Sequence, residues 1–551
     1  MKVLIVDIRF KHRERKIIEA LLPFVNKRDI FFSLTPSASY YLDQLKVVYE
    51  TFHDILPIEA FTSEVLQQYH SLDQVLKKPP LFAALGYEFC VLQSYEVYAK
   101  ILIDHLVTVY KKKGISLVYI TDVVGKNAES RSEHLPLLKF GVFDKVYTLQ
   151  NTKDFVFYFF QRLRAKLFML YRFLLKPKKI FYTILGCRLS YDNAQFYHFF
   201  ARKKACCVTN KLEHFMPELD SFYRDVSQYI DNNVTDVFVA DYIKILDGFI
   251  HSLKAFQGIT KVKIWPFVMI SGVANYARAV FYKLHHIPVV ITQHGGNYIN
   301  NHFFLDRLES LFADVNLVIS DFTKDQFIDI GAKQVKKIGS AHFKYPINPK
   351  NKNIAYDFIY ITYCAAYTFG GATVSDKQQH ISFDAMNIYQ RHKRIIMLFG
   401  KQLPEFKLCI KLQVGMIYNQ IYFYSPLIEL AKPFSNITIE FFWPLPKLIQ
   451  KSRVIISDYH SSEFINRDVL MYRNILLFDG VPYSLPKQYL DIVKKVAVLC
   501  NDDDDLKSLL LKLLNDYPKK VDVKTVEYLS ASKPMSKNHA TQMLNSIYNN
   551  L

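Results

Sequence analysis

Short apolar runs rich in β-branched side chains recur along the first part of the chain. They are KVLIVDI at the start, SLVYITDV (116–123), VFVADY (237–242), FVMISG (267–272), PVVITQ (288–293) and VNLVIS (315–320). Runs of this length between polar residues read as buried strands. Longer periodic stretches lie between several of them, such as the helix-like SGVANYARAVFYKL (271–284). This alternation predicts an α/β domain around a largely parallel sheet.

The pattern breaks at KYPINPKNKNI (344–354), where prolines, asparagines and lysines occur without an apolar period, as in a linker. A second series follows: DFIYITYC (357–364), RIIMLFG (394–400), FKLCIKL (406–412), ITIEFF (437–442), VIISDY (454–459) and NILLFDG (474–480). DDDDLKSLLLKLL (502–514) has an acidic start suited to a helix N-terminus. The predicted organisation is a first α/β lobe over 1–345, a linker over 346–356 and a second α/β lobe over 357–551. Ligands of open α/β sheets bind beyond the carboxyl ends of strands, so the cleft between the lobes is the expected site.

One segment of the first lobe stands apart. Residues 155–175 read FVFYFFQRLRAKLFMLYRFLL, and Lys176, Lys178 and Lys179 extend their positive charge. Arg162, Arg164, Lys166 and Arg172 make a membrane-spanning helix unfavourable. The segment 155–179 reads as a basic, aromatic-rich helix. It is either a core helix with snorkelling cations or a membrane-surface contact.

Charge narrows the partners. Among 551 residues, 70 Lys and Arg stand against 51 Asp and Glu, a net +19. That balance suits nucleic acid, an anionic membrane face or phosphorylated small molecules. The seven cysteines show no CxxC spacing, which supports neither a zinc site nor a disulfide framework. The opening MKVLIVDIRFKHRERK lacks the charge order of a signal peptide, so a cytoplasmic protein is expected. The sequence contains no GxxxxGK[ST], HExxH, GxSxG or first-strand GxGxxG.

Two constellations carry candidate chemistry. At the end of PVVIT come Gln293, His294, Gly295 and Gly296: two glycines that let backbone approach a ligand, beside donor, acceptor and proton-transfer groups. The plain alternative is a Gly-Gly turn with an incidental histidine. At the end of VIIS come Asp458, Ser461, Ser462 and Glu463, where a helix start near the serines would offer free N–H groups to a phosphate. Ordinary N-capping is the alternative there. FIYITYCAAYTFGG (358–371) is a further strand-to-loop segment that reads as part of a nucleotide pocket or as a plain loop. Lys411, at the end of FKLCIKL, is either a phosphate contact or a solvated charge.

ITQHGGNY, FADVNLVISDFT, KKIGSAHF and KSRVIISDYHSSEFINRDVLMYRNILLF together resemble bacterial surface-carbohydrate transferases of the GT-B-like kind. The late segment is also similar to that of CDP-glycerol glycerophosphotransferases, with CMP-sugar transferases as more distant analogues. The likeness covers roughly 230–480. It implies two Rossmann-like lobes facing a central cleft, with a helical insertion in the first. It also implies a nucleotide-activated donor, no metal and no cofactor. It places the donor phosphate near Ser461 and Ser462, and His294 at the cleft. The donor-side group is then Gln293, Gly295, Gly296, Lys411, Asp458, Ser461, Ser462 and Glu463. His294 and Asp241 are the catalytic candidates, Asp241 lying near the place of an expected acid. Two features depart from the pattern: Leu412-Gln413-Val414 replaces a proline-containing turn after Lys411, and Asn275 stands where an acid is sought.

The expected function is glycosyl transfer in bacterial cell-surface polysaccharide assembly (capsule or lipopolysaccharide), with a CMP-linked acidic sugar favoured as donor. The acceptor would be a glycan or lipid-linked glycan, with peripheral contact to the anionic inner membrane face and no nucleic acid. Polyol-phosphate transfer from a CDP-alcohol, and nucleotide or glycan binding without turnover, are the alternatives.

Overall fold

A computed structural model describes residues 1–8, 14–51, 54–55, 81–122, 136–149, 206–207, 216–254, 261–262, 273–284, 288–293, 313–329, 331–340, 347, 353–362, 383–412, 426–440, 443–458, 464, 466–478, 487–501, 504–517, 521–531 and short pieces of 536–546. The segment 155–179 and the run 267–272 lie outside them.

The first unit runs β1 (Lys2–Asp7), α1 (Glu14–Leu21), β2 (Ile30–Ser33), α2 (Pro36–Gln44), β3 (Tyr49–Glu50), α3 (Leu81–His105), β4 (Ser116–Thr121) and β5 (Lys145–Thr148). Its strands are ordered β3-β2-β1-β4-β5, and every neighbouring pair is parallel. The first strand is central and the winding reverses between β1 and β4, the topological switch point. Both faces are covered, which is why KVLIVD reads as a continuous apolar run rather than an alternation. Val3 and Ile5 enter one core, Leu4 and Val6 another.

Helices α4 (Met216–Asn233), α5 (Asp236–Lys254) and α6 (Val273–Leu284) form a helical insertion packed with α3. β6 (Cys206–Cys207) and β7 (Lys261–Val262) make a short antiparallel pair. A second parallel sheet, ordered β10-β9-β8, then forms from β8 (Val290–Thr292), β9 (Val315–Val318) and β10 (Val335–Lys337), with α7 (Asp321–Asp329) between the last two. Its core is continuous with that of the insertion and of β1 and β4.

The second unit contains β11 (Tyr356–Ile361), α8 (Phe383–Met397), β12 (Leu408–Lys411), α9 (Leu427–Ala431), β13 (Ile437–Glu440), α10 (Leu445–Gln450), β14 (Ser452–Ser457), α11 (Arg467–Tyr472), β15 (Asn474–Phe478), α12 (Lys487–Val493), β16 (Val498–Cys500), α13 (Leu506–Asn515) and α14 (Val523–Leu529). Its all-parallel sheet is ordered β13-β12-β11-β14-β15-β16. This repeats the first unit's winding, with the switch point between β11 and β14. The α/β class and the two Rossmann-like units are those the sequence predicts. β11 begins at Tyr356, within the expected linker, and Ile347 is buried in the second unit's core.

Two expected strands are helices. VFVADY lies inside α5, where Phe238, Tyr242, Ile245, Leu246, Phe249, Ile250 and Leu253 are buried. That spacing is helical over 19 residues, and a six-residue window of β-branched side chains conceals it. RIIMLFG ends α8 and forms the π turn Leu398–Gln402; Ile388, His392, Ile395, Ile396 and Phe399 are buried at helical spacing. The acidic tail run behaves as read: Asp505 caps α13 by accepting from the Ser508 N–H at 3.2 Å.

The units share a core. α2 packs on α8, Lys393 donates to Asp43 at 2.6 Å, and the Tyr389 hydroxyl donates to the same carboxylate at 3.4 Å. A second contact joins α7 to the C-terminal helices, where Tyr489 and Tyr528 donate to Asp329 and Asp325 at 2.9 and 2.8 Å. Among the described residues, no helix is long and apolar enough to cross a membrane.

Candidate functional site

The carboxyl ends of the strands concentrate the buried polar groups. At the second unit's switch point, β14 delivers Asp458 beside β11, and its N–H still donates to the Ile361 carbonyl. Tyr360 points to the same face, and its hydroxyl donates to Asp458 Oδ1 at 2.5 Å. Helix α8 supplies two more partners: His392 Nε2 lies 3.2 Å from Oδ2, and Arg391 Nη1 lies 3.6 Å from Oδ1. The Arg391, His392 and Asp458 side chains are all 0% exposed. The Arg391 guanidinium also stacks on Phe478 of β15 at 4.3 Å. A buried carboxylate is tolerated only when compensated in this way. The cluster fixes the residue that ends the described part of this segment.

The sequence reading selected Asp458 but not its partners. Arg391 and His392 sit in a run of polar residues, with Gln390, Lys393 and Arg394 around them. The signal that finds them is charged residues at the buried positions of a helical period.

Lys411 ends β12 and is buried, not solvated. Burial pulls its pKa below the usual lysine range, against the opposing pull of Glu440, its register partner on β13. Burial also pushes the neighbouring Cys409 thiol up to about 12. Lys411 is in register with Ile361, which is in register with Ser457. Register partners point to one face, so Lys411 and Asp458 leave the sheet on opposite faces. Two strand spacings, roughly 10 Å, separate their strands.

In the smaller sheet, Gln293 follows β8 and is buried. Its amide oxygen accepts from the Ile319 N–H at 2.9 Å, and its amide nitrogen donates to the Thr323 hydroxyl at 3.2 Å. Ser320 accepts from the Thr323 N–H at 3.1 Å and caps α7. Gln293 thus pins the end of β8 to the end of β9 and the start of α7.

At the first unit's switch point, a pair not selected from sequence mirrors the second: Tyr119 of β4 donates to Asp7 at the end of β1, at 2.7 Å. Both are buried. Thr35 closes the same edge, donating to the Ile8 carbonyl at 2.6 Å while capping α2.

His294, Gly295, Gly296, Ser461, Ser462 and Glu463 lie outside the described residues, as does 363–371 of the strand-to-loop segment. The described helix after β14 starts at Arg467, with Asn466 as its cap accepting from Val469 at 3.1 Å. Asp241 lies on α5, inside the run VFVADY that is helix rather than strand. Among the described residues, no three His, Cys, Asp or Glu side chains are grouped to hold a metal ion.

No family model matches the chain, and no curated protein matches it. Among solved structures, it is similar to UDP-GlcNAc 2-epimerase from Neisseria meningitidis bound to UDP-GlcNAc, with a TM-score of 0.33 and 13% identity over 51% of this chain and 75% of that one. A glycosyltransferase from Rickettsia africae gives 0.31 and 12% over 80% and 91%. The glycotransferase of kitacinnamycin gives 0.27 and 10% over 100% and 99%. Similarity at this level carries neither residue correspondence nor activity.

Proposed function

We propose that the chain is a glycosyltransferase that takes a nucleotide-activated sugar, with the donor seated at the carboxyl end of the second unit's sheet. The observation that carries this reading is the switch point between β11 and β14. There a buried carboxylate, Asp458, is held by Tyr360, His392 and Arg391 at the end of β14, three residues before Ser461 in the sequence. Ligands of such sheets bind at this place. The hydroxyls of Ser461 and Ser462 and the backbone N–H groups that follow Asp458 bind the donor phosphate. Lys411 adds positive charge from two strands away. His294, following the pinned Gln293, neutralises the leaving phosphate or moves a proton as the glycosidic bond breaks. The favoured donor is a CMP-linked acidic sugar. The acceptor is a glycan, lipid-linked or free, of the cell envelope.

Donor identity is tested by turnover on a panel of CMP-sugars, UDP-sugars and CDP-alcohols with wild type and His294→Ala. The expected result is transfer from a CMP-sugar, abolished in His294→Ala with unchanged thermal stability. Transfer from a CDP-alcohol alone would replace the sugar with a polyol phosphate. Tight nucleotide binding without turnover on any donor would make the protein a binder on this scaffold.

A further inference from the structure

The first sheet has a second end. All five strands are parallel, so the segments leading into them meet at one amino-terminal rim, opposite the end where Tyr119 meets Asp7. Each of these segments is basic. Across the sheet, β3 follows Lys46, β2 follows Lys27 and Arg28, β1 opens at Lys2, β4 follows Lys111, Lys112 and Lys113, and β5 opens at Lys145. Five strands span roughly 20 Å, so eight positive charges line a strip of that width.

Among the described residues, Asp29 and Asp144 lie on these segments, and Glu50 reaches the one before β4, accepting from the Tyr110 hydroxyl at 3.1 Å. All three are engaged by the fold. Asp29 accepts from the Lys2 N–H at 2.8 Å, and Asp144 accepts from the Leu117 N–H at 2.8 Å with Lys111 at 3.5 Å. The Leu117 bond holds the Asp144 carboxyl below its ordinary range, so it remains an anion tied to the backbone.

Large apolar side chains stand among these cations. Val48 is 91% exposed, Leu22 52% and Val25 37%. Leu22 belongs to the turn that precedes β2, and Val48 directly precedes β3. Exposed apolar tips inside a cationic strip match the two layers of an anionic bilayer surface: lipid phosphates for the lysines, and the acyl boundary for leucine and valine. Nucleic acid satisfies the cations but not the apolar tips.

We propose that the amino-terminal rim of the first sheet docks the protein on an anionic membrane surface. The proposal does not depend on the glycosyltransferase reading. With the rim on the bilayer, the carboxyl ends of a six-residue strand such as β1 stand roughly 20 Å above it.

The test is co-sedimentation of the full chain, without donor, with phosphatidylcholine vesicles containing or lacking phosphatidylglycerol. Two variants accompany wild type: one combines Lys111→Glu, Lys112→Glu and Lys113→Glu, and the other combines Leu22→Asp and Val48→Asp. Circular dichroism and thermal melts check that both keep the fold. The expected result is selective binding to the anionic vesicles, weakened about tenfold or more in each variant. The proposal is overturned by absence of binding at low salt, or by binding that neither variant changes, which would move the contact elsewhere. It is also overturned if the lysine variant alone loses binding and a single-stranded oligonucleotide competes with the vesicles, since the rim would then be a general polyanion surface.

Discussion

The two Rossmann-like units place the same pair of side chains at their switch points, in opposite senses. In the first, the tyrosine is on the fourth strand and the carboxylate ends the first: Tyr119 to Asp7. In the second, the tyrosine is on the first strand and the carboxylate ends the fourth: Tyr360 to Asp458. The register explains the likeness. Tyr119 lies opposite Ile5 and Tyr360 opposite Ile456, so each phenol reaches two residues along the neighbouring strand on its own face. The second unit adds Arg391 and His392 from the packed helix. A carboxylate at a switch point is thus not by itself a ligand group. Asp458 is committed to the fold through Tyr360, His392 and Arg391.

Four experiments sharpen or break this comparison. The largest effect belongs to Asp458→Ala, which strands a buried arginine and is expected to destabilise by about 3–5 kcal/mol. Urea unfolding measures it, and a loss below that of Asp7→Ala would remove the distinction between the units. Asp7→Ala leaves the buried Tyr119 hydroxyl without this acceptor, for an expected loss of about 1–3 kcal/mol. Next, Tyr119→Phe and Tyr360→Phe delete the same bond to a carboxylate, each at about 1.5–3 kcal/mol. If the two values differed beyond error, the pairs would not be one device used twice.

The smallest effect concerns Lys411. Its folded pKa lies below its unfolded value, so the unfolded chain binds more protons between them. Its contribution to stability is therefore present above the unfolded pKa and lost as pH falls through the folded one. Lys411→Met should flatten the alkaline rise in stability relative to wild type. Parallel pH profiles of the two proteins would refute the buried-lysine assignment.

Much of this was readable from the chain. Strands covered on both faces are continuous apolar runs, so β1, β4, β9, β11, β12, β14 and β15 appear directly in the sequence. Where the pattern misled, at VFVADY and RIIMLFG, a short window of Val and Ile imitated a strand, and only the longer period reveals the helix. For the site, Asp458 and Lys411 were legible because strand ends are legible. The roles of Gln293, Arg391, His392 and Tyr360 were not, since they depend on which elements lie side by side. Gln293 reads as a ligand group in QHGG and proves to be tied to Ile319 and Thr323, a contact across 26 and 30 residues.

The central claim is that Ser461 and Ser462, after Asp458, hold a nucleotide phosphate. The most direct measurement is thermal stability with CMP, CDP, UDP, GDP and AMP, on wild type and on a variant with Ser461→Leu and Ser462→Leu. A ligand at a hundred times its dissociation constant stabilises by about 2.7 kcal/mol, a visible shift. The account predicts a selective response to the cytidine nucleotides in wild type and its loss in the variant. A wild-type protein that no nucleotide stabilises, or a response that survives in the variant, would contradict it.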